Sequence, residues 1–311
     1  MPDVDELRLV RDMRLRDPRA VARAAARRTR RPVIAESGRL MLIAADHPAR
    51  GALGVRDDPF AMADRHELLR RIVAALRRPG VDGVLGTPDV IEDLLLLGAL
   101  DGKVVIGSMN RGGLQGSGFE LDDRFTAYDA QSIVDDGLDG GKMLCRIDLA
   151  DPGSVATLEA CGRAVTELAR RGRTAMIEPF MAHRVEGRVH NDLTAAAVVR
   201  SVAIAAGLGA TSAYTWLKLP VVDEMERVMA ATTLPTLLLG GDPSGHPDET
   251  YAAWEKALAV EGVRGLVVGR TLLYPPDGDV EAAVDSAAAL VGSVGAAPRA
   301  EDAERAERAT P

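Results

Sequence analysis

The chain of 311 residues has few aromatic side chains: two tryptophans, four tyrosines and four phenylalanines, 3% of the total. So sparse a set leaves little material for the stacking platforms on which single-stranded nucleic acids bind. A formal charge of −8 points the same way, against a polyanion as the main partner. Cysteine is almost missing. Cys145 and Cys161 lack metal-type spacing, and a large core needs no disulfide, so a reducing, cytoplasmic setting is expected. The five histidines, His47, His66, His183, His190 and His246, include no pair spaced as ligands on one element. No secretory signal precedes the first strand, and Leu94-Leu95-Leu96-Leu97 is far too short to cross a bilayer. The expectation is a protein that uses neither metal nor cofactor and binds neither nucleic acid nor membrane, with assembly into a homo-oligomer left open.

What is present is apolar material, 47% of the residues against 27% charged, enough for a sizeable core. Residues 1–31 carry ten arginines against five acids. Asp17-Pro18 reads as an N-cap and first-turn pair opening an Ala/Arg helix to about Arg31, an amphipathic extension closing the bottom of the fold. After Pro32 short apolar runs alternate with longer helical ones. Strands are expected at 40–48, 82–87, 103–109, 142–149, 174–181, 214–221, 235–241 and 264–269. Helical stretches lie near 62–77, 89–99, 125–137, 154–171, 192–206, 223–231, 247–260 and 279–291. Eight strands each followed by a helix is the count that closes a (β/α)8 TIM barrel, whereas open doubly wound sheets usually hold fewer strands. The expected division is therefore an N-terminal basic extension (1–31), one barrel domain (32–295) and a disordered tail (296–311) of alanine, charge and proline. The glycine-rich connection at 110–124 is longer than a usual βα loop and reads either as a lid or as passive surface.

The stretch Tyr214-Thr-Trp-Leu-Lys218-Leu-Pro220 delivers a lysine near the end of a buried strand. Lysine walled off from water loses its proton more readily, and the free amine can attack a carbonyl to form an imine. The plainer alternative is a lysine that caps the strand and reaches to solvent. In the fourth strand Lys142, Leu144, Arg146 and Asp148 alternate with Met143, Cys145, Ile147 and Leu149, so the first set is expected to face the barrel interior, with Arg146 and Asp148 candidates for binding substrate or its phosphate, and the second the helices. Buried charges need partners. Glu178 at the end of the fifth strand and Asp46 at the end of the first are candidates, giving two acids and two lysines at the end of the barrel where chemistry sits. A purely structural ion-pair network is the competing reading. The last two strands end in Gly240-Gly241 and Gly269-Arg270, the positions of the common barrel phosphate site, with Arg270 adding charge-assisted hydrogen bonds. Asp242 fits that site poorly, since a carboxylate repels phosphate, and would suit a substrate hydroxyl instead.

Between residues 40 and 275 these features resemble the class I (Schiff-base) aldolase superfamily, which includes tagatose-bisphosphate, archaeal-type fructose-bisphosphate and deoxyribose-phosphate aldolases. The residues that carry the likeness are Asp46-His47, Lys142-Met-Leu, Glu178-Pro179, Leu217-Lys218-Leu-Pro220 and Gly269-Arg270. The sequence departs from it at Pro48 and in Gly240-Gly-Asp-Pro-Ser-Gly245. The resemblance implies that Lys218 forms the imine with a phosphorylated keto-sugar, that Glu178 serves as general base and acid, and that Lys142 favours the uncharged amine and bonds Glu178. It further implies that Asp46 orients hydroxyls and that Gly241, Gly269 and Arg270 hold the phosphate. Met109-Asn-Arg-Gly-Gly and Phe119-Glu-Leu-Asp-Asp-Arg-Phe-Thr-Ala-Tyr-Asp-Ala look like an actinobacterial subgroup associated with inositol catabolism, which points to 6-phospho-5-dehydro-2-deoxygluconate as substrate. Two rivals stand beside this reading. One is a metal-dependent lyase or sugar isomerase, which inactivation by EDTA would favour; the other is a non-catalytic sugar-phosphate-binding barrel.

Overall fold

The computed structural model describes residues 4–241 and 246–293; Asp242 and the 296–311 tail lie outside them. Nine strands are present among the described residues: β1 (Leu40–Ala45), β2 (Gly83–Gly86), β3 (Val104–Ser108), β4 (Gly140–Ile147), β5 (Thr174–Val185), β6 (Arg188–Asn191), β7 (Thr215–Leu219), β8 (Thr236–Leu239) and β9 (Val263–Val268). Eight of them pair in parallel in the cyclic order β1-β2-β3-β4-β5-β7-β8-β9, with β9 returning to β1. The closed (β/α)8 barrel expected from the alternation is what forms. Before the barrel stand α1 (Val4–Arg16) and α2 (Arg19–Arg27); around it lie α3 (Arg65–Leu76), α4 (Pro88–Leu96), α5 (Ala130–Asp135), α6 (Gly153–Arg170), α7 (Ala195–Ala206), α8 (Met225–Met229), α9 (Pro247–Leu258), α10 (Arg270–Leu273) and α11 (Val280–Ser293). No helix among the described residues is long and apolar enough to cross a membrane.

The strands are apolar runs because both their faces are buried. Leu40, Leu42, Leu85, Ile106, Met176 and Leu237 fill the barrel interior, with Val33 and Ile34 packed against that cluster. The alternate residues, such as Met41, Ile43, Val105, Cys145 and Ile177, join the larger layer beneath the helices. Period two thus sends one set inward and one outward, and the inward row ends in polar side chains at the C-terminal rim.

Three expectations need correction. The N-terminal segment is two helices, not one, because Pro18 lacks the N–H needed to continue α1 and itself stands at the N-cap of α2. Asp17 makes no cap; it pairs with Arg23. Arg30 and Arg31 reach Asp139 (2.9 Å) and Asp82 (2.6 Å), just ahead of β4 and β2, so the basic segment lies along the N-terminal rim of the barrel. Second, β5 runs past the barrel rim and folds back antiparallel onto β6, placing His183 opposite His190 in a hairpin where a loop was expected. Third, β4 stops at Ile147. Leu149 is exposed rather than packed on the helices.

Between β8 and β9 the register slips by one residue, so that Thr236 pairs with Val263 and Leu237 with Gly265. Gly265 carries this bulge at φ +141°, and a Cβ there would stand 1.9 Å from the Leu40 carbonyl oxygen. Gly265→Ala is therefore expected to destabilise the barrel by about 3 kcal/mol or more, read as a lowered midpoint in urea denaturation.

Candidate active site

The inward rows of four strands deliver polar groups to a cavity of about 680 Å³ at the C-terminal end of the barrel. Asp46 follows β1, Lys142 comes from β4, Glu178 from β5 and Lys218 from β7, and each is almost wholly buried. Glu178 accepts from Lys218 at 2.9 Å through one oxygen and pairs with Lys142 through the other. Lys142 also lies 3.1 Å from Asp46. The four residues expected to meet do meet, in the order Lys218, Glu178, Lys142, Asp46.

Arg111 extends this chain of charges. Its guanidinium pairs with the Asp46 carboxylate, donates to the Asp46 carbonyl at 2.9 Å and to Ser108 Oγ at 2.8 Å. Burial opposes ionisation of Asp46, yet Lys142, Arg111 and Lys218 outweigh it and hold the carboxyl well below the usual range. The same contest at Glu178 is won by Lys142 and Lys218, bringing it down to about 2. Burial also pushes Lys142 below its ordinary range, against the pull of Asp46 and Glu178. The acids are thus ionised at neutral pH.

The expected phosphate residues Gly240, Gly241, Gly269 and Arg270 all line the same cavity. At Gly269 a side chain is excluded, since a Cβ would lie 2.4 Å from the Ala44 carbonyl oxygen. Arg146 lines the cavity as well. Asp148 does not, because the chain leaves β4 at Ile147 and turns towards α6: Asp148 Oδ1 accepts from Ala150 N at 2.9 Å, and its backbone N–H and carbonyl both engage Ser154 Oγ. Period two was extrapolated one residue beyond the end of the strand.

The 110–124 connection is neither a free lid nor passive surface. Glu120 pairs with Arg146 and Asp123 with Arg50; Arg50 also donates to the carbonyls of Asn110 (2.7 Å) and Gly113 (2.8 Å). Glu120, Leu121 and Asp123 are buried. The connection is pinned through Glu120 and Asp123, with Leu114 and Phe119 exposed between its ends, and Arg111 is its residue that lines the cavity. Arg50, Arg111, Glu120 and Asp123 escaped the sequence reading because arginine and acid are common along the chain. Lysine is not: Lys103, Lys142, Lys218 and Lys256 are the four among 38 basic residues, and two of them stand in the cavity. That scarcity was the stronger signal.

His47 also lines the cavity. Its side chain is 26% exposed, and burial, with Arg270 and Lys218 nearby, outweighs Asp46 and Glu178 and pushes it down to about 3. The imidazole is therefore neutral at neutral pH. Among the described residues no group of three or more histidine, cysteine or acidic side chains stands together as a metal-holding set.

The model of the Cgl0159-like family matches residues 38–288. A crystal structure of Cgl0159 from Corynebacterium glutamicum is similar at 58% identity with a TM-score of 0.92, over 94% of this chain and 98% of that one. A Schiff-base-forming fructose-1,6-bisphosphate aldolase shares the fold at TM-score 0.60 and 19% identity (87% of this chain, 99% of that one). An archaeal fructose 1,6-bisphosphate aldolase does so at 0.61 and 18% (88% and 99%). No protein of curated function matches the sequence.

The depressed His47 has a consequence for stability. Unfolded histidine titrates near 6.5, so below that pH the unfolded chain takes up a proton that the native site refuses, and native stability falls as pH falls towards 3. His47→Gln removes this dependence. Urea unfolding at pH 7.5 and pH 5 should show the wild type losing about 1–2 kcal/mol more than the variant over that interval.

Proposed function

The chain belongs to the Cgl0159-like family, and from that premise we propose that it is a class I aldolase, a carbon–carbon lyase acting on a phosphorylated keto-sugar through an imine at Lys218. The observation that carries this reading is the Glu178 carboxylate held between the amines of Lys142 and Lys218 inside a cavity that ends at Gly269 and Arg270. The barrel shared with Schiff-base aldolases supports it.

In this reading Lys218 passes a proton to Glu178 and its amine attacks the substrate ketone, giving a neutral carbinolamine. Glu178 returns the proton to the carbinolamine hydroxyl, which leaves as water, and the iminium forms. The carboxylate then takes the proton from the β-hydroxyl; the α–β carbon bond breaks, its electron pair moves to the iminium nitrogen, and an aldehyde departs. Protonation of the enamine carbon by Glu178 and hydrolysis release the second product. Between two cationic lysines Glu178 is a weak base. The neutral carbinolamine and enamine at Lys218 each remove one of those charges, so Glu178 holds the proton it has just accepted until it must give it up as an acid. Lys142 keeps Glu178 and Asp46 in place, and Asp46 orients substrate hydroxyls. Gly240, Gly241, Gly269 and Arg270 receive the phosphate.

The finer assignment is 6-phospho-5-dehydro-2-deoxygluconate, cleaved in the cytoplasm in the course of inositol catabolism. The resemblance at Met109–Gly113 and in the segment from Phe119 supports that choice.

Borohydride reduction tests the imine. Wild-type protein incubated with dihydroxyacetone phosphate or a panel of phosphorylated ketoses should gain the reduced adduct at Lys218, located by peptide mass spectrometry. An adduct that persists in Lys218→Met overturns the assignment. Glu178→Gln should lower turnover about 100-fold or more.

A further inference from the structure

The barrel order sets two poles across the cavity mouth. Counting around the closed sheet, β4 and β9 are four strands apart in either direction. Gly269 and Arg270 follow β9, and Arg146 is near the end of β4. β7, which carries Lys218, lies two strands from each. A substrate anchored at both poles would bring its middle to the imine lysine.

The β4 pole holds donors with nothing to bond. Arg146 donates from one terminal nitrogen to the Glu120 carboxylate and from the other to the Glu120 carbonyl at 3.0 Å. Its Nε–H has no partner among the described residues. Arg50 repeats the pattern: its terminal nitrogens are taken by Gly113, Asn110 and Asp123, and its Nε–H is likewise unpartnered. Both side chains are more than nine-tenths buried and both line the cavity, whereas Glu120 and Asp123 do not. Buried donors left without acceptors cost free energy that a ligand can recover.

We propose that Arg146 and Arg50 form a second oxyanion subsite, opposite Gly269 and Arg270, which receives a carboxylate, so that the substrate is a phosphorylated keto-acid rather than a ketose bisphosphate. Two N–H donors match the two oxygens of one carboxylate. The positive charges behind them are already balanced by Glu120 and Asp123, which suits a monoanion better than a phosphate dianion. All three nitrogens of Arg111 are already engaged by Asp46 and Ser108. In the aldol cleavage the carboxylate would stay with the departing aldehyde. This inference rests on the aldolase reading for the identity of the substrate, but the subsite itself is tested without any reaction.

The experiment is calorimetric titration of the full chain with three ligands that lack a ketone or aldehyde: 5-phosphoarabinonate, arabinitol 5-phosphate and arabinitol 1,5-bisphosphate. The expected result is that phosphoarabinonate binds about tenfold or more tighter than arabinitol 5-phosphate. Arg146→Lys, which keeps the charge opposite Glu120 but loses the guanidinium, should abolish that difference. So should the double variant Arg146→Met/Glu120→Gln, which removes the buried pair together; thermal melting establishes that each variant is folded. Equal affinity for all three ligands, tighter binding of the bisphosphate, or a carboxylate preference that survives in both folded variants would overturn the proposal. Failure to trap an adduct at Lys218, with the carboxylate preference intact, would count against the aldolase reading and leave the subsite standing.

Discussion

A single carboxylate, that of Glu178, sits between the amines of two lysines in a cavity at the end of the barrel, and the rest of the site is arranged to keep it there. Along the cavity floor charges alternate from Arg111 through Asp46, Lys142 and Glu178 to Lys218. Each acid lies between two basic side chains. In so weak a dielectric, neighbours of opposite sign interact by several kcal/mol, while any member left without its partner would be costly to keep buried. The row is stable only as a whole. On the aldolase reading proposed above, an anionic substrate meets this row and its iminium takes the place of the Lys218 amine at one end.

Holding five charges in register requires a rigid frame, and the frame comes from two sources. The strands supply the spacing, because inward residues on neighbouring strands of a closed barrel are fixed relative to one another by the hydrogen-bond ladder. The connection after β3 supplies the rest. Its buried acids Glu120 and Asp123 tie it to β4 and to the turn after β1, so the wall cannot swing away without exposing two ion pairs. The same ties engage the terminal nitrogens of Arg146 and Arg50 and leave their buried Nε–H groups without a partner among the described residues. Architecture and recognition are therefore not separable here. The contacts that fasten the loop also decide which donors remain for a ligand.

Much of this was legible in the amino-acid order. Eight apolar runs, each with a helical partner, specify the barrel because strands buried on both faces must be apolar throughout, and a lysine interrupting such a run at 142 or 218 is conspicuous. The hairpin of β5 and β6 was not legible: Arg188-Val-His-Asn carries no alternation of the half-buried kind, and it pairs only because β5 overshoots the barrel. Asp148 misled for the opposite reason, since a regular period continued on paper past the residue at which the chain turns.

What the sequence determined by itself is the period and the chemistry of each strand: which residues are apolar, which face is inward, and that acids and lysines stand near the C-terminal ends. What only the tertiary structure decided is pairing: that Glu178 meets both lysines, that Arg111 rather than a residue of some other loop holds Asp46, and that Arg146 and Arg50 have already spent two nitrogens each on the wall. Periodicity is a property of the local backbone and is therefore written in the order of residues. Contact between side chains tens of positions apart depends on how the barrel closes and where each loop lands, and that geometry is set by all the strands together.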